Sequence, residues 1–226
     1  YIHILYYVIQ YHQIQKKKGG RFVPKEVKIT KEKILEAAFK IAREQGLEKL
    51  SNREIAKKLK CSIRPIYYQF KNVEELKKEL YLKIESYFYS FLMDQMTEDI
   101  PKYKQIGIRY VDFARKEKNL FKILFMSKSE FLPEEFVTKE GEEFEKIGKL
   151  IKMSTNLTDE DIKSFHIKMW IFTHGIATLV ASSTVKFEDE QVKELLSLEF
   201  QALMLLKENQ DNDWVLKGNN FKSNEI

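Results

Sequence analysis

The residues whose types and spacing best suit a chemical role lie between positions 62 and 71, where basic, hydroxyl-bearing and aliphatic side chains follow one another. The guanidinium of Arg64 can form two hydrogen bonds with one guanine, and Ile63 can contact a thymine methyl group. Hydroxyl and ammonium groups suit phosphate oxygens. A helix that carries these residues into the major groove would read double-stranded DNA. The predicted DNA contacts are Ser51, Asn52, Ser62, Ile63, Arg64, Pro65, Tyr67, Tyr68, Lys71 and Lys77.

Capping residues indicate the helices that must position these side chains. Ser51 with Glu54 three residues later forms a capping box at the start of one helix. After a turn at Lys60 and Cys61, Ser62 is expected to cap a second, short helix. Two short helices joined by a turn predict a helix-turn-helix over residues 51–70.

Spacing alone leaves another interpretation open, because short helices with basic residues occur in many helical proteins. Either Tyr67 or Phe70 is expected to be a core residue. The charge distribution favours the DNA interpretation: residues 24–80 contain 15 Lys and Arg against 9 Asp and Glu, whereas residues 81–226 contain 20 against 25. A basic first part and an acidic remainder favour a polyanionic partner for the first part only.

The composition is that of an all-α globular protein. The 226 residues are 43% hydrophobic and 32% charged, and only 8 Gly and 4 Pro interrupt them. Further helices are predicted over residues 30–45, 73–96, 101–116, 120–125, 133–153, 158–183 and 189–208. The most apolar run, residues 170–181, is too short to span a bilayer, so no membrane association is expected.

Several classes of site are absent from the sequence. The single cysteine, Cys61, excludes a disulfide framework and a thiolate metal site, and it favours the reducing cytoplasm. His166 and His174 lie eight residues apart without an acidic or cysteine partner, so no metal site is predicted. No nucleophile-base set, paired carboxylates or phosphate-binding glycine loop suggests an enzyme or a cofactor.

Residues 1–23 differ from the rest of the chain. An aromatic and aliphatic stretch is followed by Lys and Gly residues, which suits a loosely docked arm and fits a signal peptide poorly. A third interpretation is over-translation of the upstream sequence. Lys18 to Arg21 can be encoded by a ribosome-binding sequence, and Val23 by a GTG start codon.

Residues 30–76 resemble the N-terminal domain of the tetracycline-repressor (TetR/AcrR) family. The matching stretches are TKEKILEAAFKIAREQG, SNREIAKKL and CSIRPIYYQFKNVEEL. Val73 departs from the family, which often has a phosphate-contacting Lys there, and Lys71 or Lys77 is expected to substitute for it. Arg64 and Pro65 also stand where a small residue and a Thr are common. The positions that carry the family pattern are Ile34, Ala37, Ala38, Gly46, Ser51, Ile55, Ala56, Ile66, Tyr67 and Phe70.

The resemblance implies a three-helix DNA-binding domain, residues 24–72, and a six-helix C-terminal domain for ligand binding and dimerisation, residues 73–208, before a polar tail, residues 209–226. Weaker similarities to the family occur in FARKEKNLFKILF and WIFTHGIATL. The expected protein is a repressor that binds a palindromic operator as a homodimer and is released by a small apolar or amphipathic effector. The alternative is a helix-turn-helix regulator without such a ligand, controlled by a protein partner or acting as an activator.

Two further sets of residues follow from this resemblance. Aromatic and Met side chains suit an apolar pocket, although any helical core contains them. The last two helices are expected to pair with their symmetry mates in a four-helix bundle. The candidate pocket residues are Phe113, Phe121, Phe125, Phe144, Phe165, Met169, Phe172 and His174, and the candidate dimer residues are Ile176, Leu179, Val180, Leu195, Leu198 and Leu203.

Overall fold

A computed structural model describes residues 29–94, 96–126 and 142–209 of the chain. Within these ranges the regular structure is entirely helical, which confirms the predicted all-α class. The predicted arm, the polar tail from residue 210 and the first part of the helix predicted over 133–153 lie outside them. The α-helices are α1 (Lys31–Gln45), α2 (Asn52–Lys58), α3 (Arg64–Gln69), α4 (Val73–Met93), α5 (Lys102–Lys116), α6 (Lys118–Phe125), α7 (Glu142–Lys152), α8 (Asp159–Ala181) and α9 (Asp189–Asn209).

Side-chain caps set the start of three of the first four helices. The amide of Lys33 donates to Thr30 Oγ1 at 3.3 Å, and that of Glu54 donates to Ser51 Oγ at 3.2 Å. Asn72 caps α4 in the same way, accepting from the Glu75 amide at 2.8 Å. Each cap satisfies an N–H that has no partner within its helix.

The predicted Ser62 cap is wrong. α3 begins at Arg64, and Ile63 occupies the N-cap position with a helical backbone (φ −73°, ψ −16°) and no side-chain hydrogen bond. Ser62 therefore lies one residue too early to accept from the first-turn amides. Pro65 is in that first turn, where a missing N–H costs little.

The first compact unit contains the described residues up to 94 together with residues 112–126 and 177–185. One face of α1 supplies much of its core, because Ile34, Ala38 and Ile41 recur at helical spacing and are at most 2% exposed. α2, α3, α4 and α6 all pack against α1. Compactness thus groups α4 with the N-terminal helices, whereas the predicted domain boundary precedes it.

The second compact unit contains residues 96–111, 142–176 and 186–209. Its core brings α5, α7, α8 and α9 together around Phe165 and Ile151, which are fully buried. Among the helices of the described ranges, none is long and apolar enough to cross a lipid bilayer.

Candidate functional site

A tight turn centred on Lys60 joins α2 to α3. Lys60 has a left-handed backbone (φ 52°), and its amide donates to the Lys57 carbonyl at 3.1 Å. The amide of Cys61 donates to the Ala56 carbonyl at 3.0 Å. These bonds satisfy carbonyls at the end of α2 and let the chain reverse into α3. The geometry is that of the predicted helix-turn-helix.

α3 separates its side chains sharply between core and solvent. Ile66 and Phe70 are 1% and 2% exposed, whereas Ile63, Tyr67 and Tyr68 are 41%, 58% and 86% exposed. Phe70 is therefore the core residue of the pair for which the sequence left the choice open. The exposed Ile63 at the N-cap of α3 and the two exposed Tyr within α3 form a surface suited to contact with another molecule. Of the other predicted contacts in this segment, Ser62 and Arg64 are exposed and Pro65 is half-buried.

The remaining predicted contacts lie at two helix N-termini. Ser51 and Asn52 are half-buried at the start of α2, and the Ser51 hydroxyl already accepts from the Glu54 amide. Lys71 is exposed just before α4, where its own amide donates to Glu75 Oε2 at 2.7 Å. A helix N-terminus favours an anion such as phosphate. Lys77, one turn further along α4, is exposed at 3.7 Å from Glu74 Oε1.

Ion pairs brace the helix-turn-helix against its neighbours in the first unit. Lys31 of α1 pairs with Glu79 of α4 and lies 5.0 Å from the centroid of the Phe70 ring. Lys58 at the end of α2 donates to Glu44 Oε2 at 2.9 Å. Contacts of this kind are individually weak because water screens them, but together they help to orient α3.

A buried carboxylate, Glu117, links α1 to the junction of α5 and α6. It is 4% exposed, and Arg43 donates to it from Nε at 2.7 Å and also from Nη2. The hydroxyl of Tyr87 donates to Glu117 Oε1 at 2.9 Å. The hydrogen bond from the guanidinium to Glu117 raises the pKa of Arg43, and burial followed by the bond to Glu117 raises the pKa of Tyr87. Sequence reasoning missed this network, since its members are far apart in the chain.

A cavity of about 280 Å³ lies in the second unit, with walls from α5, α8 and α9. Its surface is mostly apolar, and polar atoms occupy only a small part of it. An apolar concavity with a few polar groups is the usual form of a small-molecule site. The lining residues are Pro101, Tyr103, Lys104, Ile106, Gly107, Tyr110, Ser154, His166, Met169, Trp170, Thr173, Leu196, Ser197, Phe200 and Gln201.

Two tyrosine-histidine pairs join α5 to α8 beside this cavity. The Tyr103 hydroxyl lies 3.0 Å from His166 Nδ1, and the Tyr110 hydroxyl lies 2.9 Å from His174 Nδ1. Burial lowers the pKa of His166 to about 4 and lowers that of His174, and it raises the pKa of Tyr103. All three side chains are therefore uncharged near neutral pH. In the sequence, the two tyrosines are seven residues apart on α5 and the two histidines are eight residues apart on α8. These similar spacings are the sequence signal for the two pairs.

Of the predicted pocket residues, Met169 alone lines the cavity. Phe113 and Phe121 are fully buried in the first unit, where the rings of Phe113 and Phe88 are 5.0 Å apart, and Phe125 is 5.2 Å from the Phe88 ring. In the second unit Phe144 and Phe165 pack in the core, and Phe172 is half-buried. His174 stands behind the lining, stacked on Trp170 at 4.8 Å. The apolar periodicity of the sequence identified core residues here. Periodicity does not show which buried side chains border a cavity.

The predicted dimer residues divide by exposure. Leu198 is 55% and Leu179 is 38% exposed, so both are open to a partner. Leu195 is half-buried. Ile176, Val180 and Leu203 are only 6% exposed and pack within their own chain. A Cβ added at Gly175 would meet no described atom within 4 Å, so no close helix crossing occurs there within the described chain.

The described residues contain no group of three or more His, Cys, Asp or Glu side chains placed to hold a metal ion. His166 and His174 each bond to a tyrosine instead.

The comparisons with known proteins agree with this architecture. Residues 34–80 match the family described as bacterial regulatory proteins, tetR family. A TetR-like transcriptional regulator from Rhodococcus sp. RHA1 is 18% identical, with 81% of this chain and 99% of that chain covered and a TM-score of 0.54. A TetR-family regulator from Vibrio parahaemolyticus is also 18% identical, with 76% of this chain and 97% of that chain covered and a TM-score of 0.57. A third, from Haemophilus influenzae, is 19% identical, with 76% of this chain and 94% of that chain covered and a TM-score of 0.53.

At these identities the solved structures show a shared fold, and the family match adds the helix-turn-helix. No curated protein sequence is significantly similar to the chain. Proteins of the matching family are transcriptional regulators and not enzymes. Residues 34–80 are therefore similar to the tetR family of bacterial regulatory proteins, and the described residues share the fold of solved TetR-family transcriptional regulators.

Proposed function

We propose that this regulator is a repressor that binds a palindromic operator as a homodimer and leaves it when a small apolar or amphipathic effector binds. It would act in the cytoplasm, with residues 24–72 as the DNA-binding domain and residues 73–208 as the effector-binding and dimerisation domain. The observation that carries the proposal is the division of α3, which buries Ile66 and Phe70 while exposing Ile63, Tyr67 and Tyr68.

Each exposed residue of this surface has a role that suits its chemistry. Arg64 reads guanine through two hydrogen bonds, and Ile63 contacts a thymine methyl group. Tyr67 and Tyr68 donate hydroxyl hydrogens to phosphates, and Lys71 neutralises one. Ser51, Asn52, Ser62, Pro65 and Lys77 complete the proposed contact surface.

Substitutions at Arg64 and Lys71 test the DNA contacts. Arg64→Ala should weaken the free energy of operator binding by roughly 1–3 kcal/mol. It should also relax the preference for one base at one position per half-site. Lys71→Ala should weaken binding to all DNA sequences alike. It should also reduce, by about 1, the slope of the logarithm of the binding constant against the logarithm of the salt concentration. Lys163→Ala, at an exposed position of α8, is the matched control. Binding would be measured by fluorescence anisotropy on a set of operator variants. Unchanged base preference in Arg64→Ala would contradict its role as base reader.

The cavity favours control by an effector over control by a protein partner alone. It lies within the C-terminal part of the chain, is mainly apolar and is bordered by neutral polar pairs. An empty cavity lowers the free energy of unfolding, so a regulator without a ligand is not expected to retain one.

Exposed apolar stripes on the last two helices support the homodimer. Ile171 on α8 and Leu205 on α9 are 51% and 57% exposed, alongside the predicted Leu179 and Leu198. A homodimer would bury such residues in an isologous interface. Sedimentation should give twice the chain mass of 27.0 kDa, and Leu198→Arg should yield monomer. A monomeric wild-type protein that still binds the full operator would contradict the dimer.

A further inference from the structure

The charge on the cavity wall is one-sided. Among the described residues that line the cavity, Lys104 carries a formal charge near neutral pH and none carries a carboxylate. Lys102, two residues earlier, pairs with Glu98 at 3.1 Å, whereas Lys104 forms no ion pair with any described residue. A cationic ligand would lose its hydration without gaining an opposite charge. An anionic ligand would gain a charge-assisted hydrogen bond from Lys104.

The pair formed by Tyr103 and His166 also favours a ligand that accepts hydrogen bonds. A neutral imidazole carries one N–H and the phenol one O–H, and only one of these two hydrogens can lie between them. The other is left over whichever tautomer is present, and both side chains are only 8% exposed. Thr173 and Ser197 donate their hydroxyl hydrogens to carbonyls of their own helices, each at 2.7 Å. These two hydroxyls are therefore occupied, whereas the Tyr103–His166 pair, next in sequence to Lys104, keeps one donor hydrogen.

The rest of the wall suits a slim apolar body. Met169, Leu196 and Phe200 are among the side chains that border it. A volume of about 280 Å³ is just below the range for drug-sized ligands, about 300–1,000 Å³. Trp170 has one face covered by the stacked His174 ring, which limits its capacity to bind a cation.

We infer that the effector is an amphipathic carboxylate with a single apolar chain, whose head group is bound by Lys104 and the Tyr103–His166 pair. The inference rests on the proposed effector function and narrows it. It excludes cationic amphipaths of the same size as effectors, and it predicts that neutral amphipaths bind more weakly than the carboxylate.

Three unbranched ten-carbon probes that differ in the head group test the inference: decanoate, decanol and decylammonium. A change in the intensity or emission wavelength of Trp170 fluorescence reports binding in full-length protein carrying Trp214→Phe, which leaves Trp170 as the only tryptophan. Decanoate should bind at least tenfold more tightly than decylammonium, with decanol between them. Lys104→Gln should reduce the affinity for decanoate to that for decanol and leave decanol unchanged. Lys102→Gln is the matched control and should keep the wild-type order.

The outcomes separate this inference from the proposed function. Equal binding of decylammonium and decanoate, or a preference that survives Lys104→Gln, would overturn the carboxylate assignment and leave the effector cavity intact. Decanoate binding that follows the expected order without changing operator affinity would support the assignment and contradict ligand-controlled repression. Failure of all three probes to bind at millimolar concentration would overturn both.

Discussion

The helix-turn-helix and the cavity-bearing unit differ in the chain separation of the contacts that define them. In residues 51–70 the cap of α2 joins residues three apart, and the turn bond from Cys61 reaches Ala56, five residues back. Beside the cavity, Tyr103 and His166 are 63 residues apart, and Tyr110 and His174 are 64 apart. Local patterns can specify the first kind of contact, whereas the second depends on how α5 and α8 come together.

The difference is not simply one between the two units, because Glu117 lies in the first. Its bond from Arg43 spans 74 residues and its bond from Tyr87 spans 30. The relevant distinction is therefore between short-range and long-range contacts. Four substitutions, taken from the largest expected effect to the smallest, sharpen this distinction.

Phe70→Ala should produce the largest loss of stability, about 3–5 kcal/mol, because it empties a site in the core of the helix-turn-helix. Tyr68→Ala, two residues earlier and 86% exposed, is the matched control. The control should change the free energy of unfolding by no more than about 0.5 kcal/mol. Urea titrations followed by circular dichroism would measure both. Similar losses for the two variants would contradict the division of α3 between core and surface.

His166→Gln should reduce the dependence of stability on pH in the cavity-bearing unit. Burial holds the native pKa of His166 at about 4, below its usual 6.5, so the unfolded chain takes up this proton first as the pH falls. The stabilisation from a neutral His166 is complete above pH 6.5 and is lost as the pH falls from there to about 4, by roughly 3 kcal/mol at most.

The measurement is the difference in unfolding free energy between wild type and His166→Gln across that pH window. The wild type should lose more stability than the variant. Because both proteins share every other titrating group, subtracting the two curves isolates His166. Parallel curves would contradict a neutral, buried His166.

Glu117→Gln should cost roughly 1–3 kcal/mol, because the variant keeps the shape of the side chain but leaves the hydrogen bonds from Arg43 and Tyr87 poorly satisfied. Tyr87→Phe removes one of these bonds and should cost about 1 kcal/mol. Glu98→Gln, in an exposed pair with Lys102, is the control and should have almost no effect. Thermal unfolding of the three variants would rank them, and equal midpoints for Glu117→Gln and Glu98→Gln would contradict a structural role for the buried carboxylate.

By itself the sequence determined the all-α class, the helix-turn-helix between residues 51 and 70, and the Ser51 cap at its start. Thr30, Ser51 and Asn72 act within their own first turn, so residue type and spacing are sufficient to predict them. Ser62 is the exception, because the backbone of Ile63 is already helical and displaces the start of α3.

Only the tertiary structure decided which apolar residues line the cavity and which fill the core. Phe113, Phe165 and Met169 have similar helical spacing and hydrophobicity, yet only Met169 borders the void. The physical reason is that burial follows from the packing of several helices at once, whereas periodicity reports one face of one helix. The same reason explains Ile176 and Leu198, of which the first is buried in its own chain and the second faces solvent.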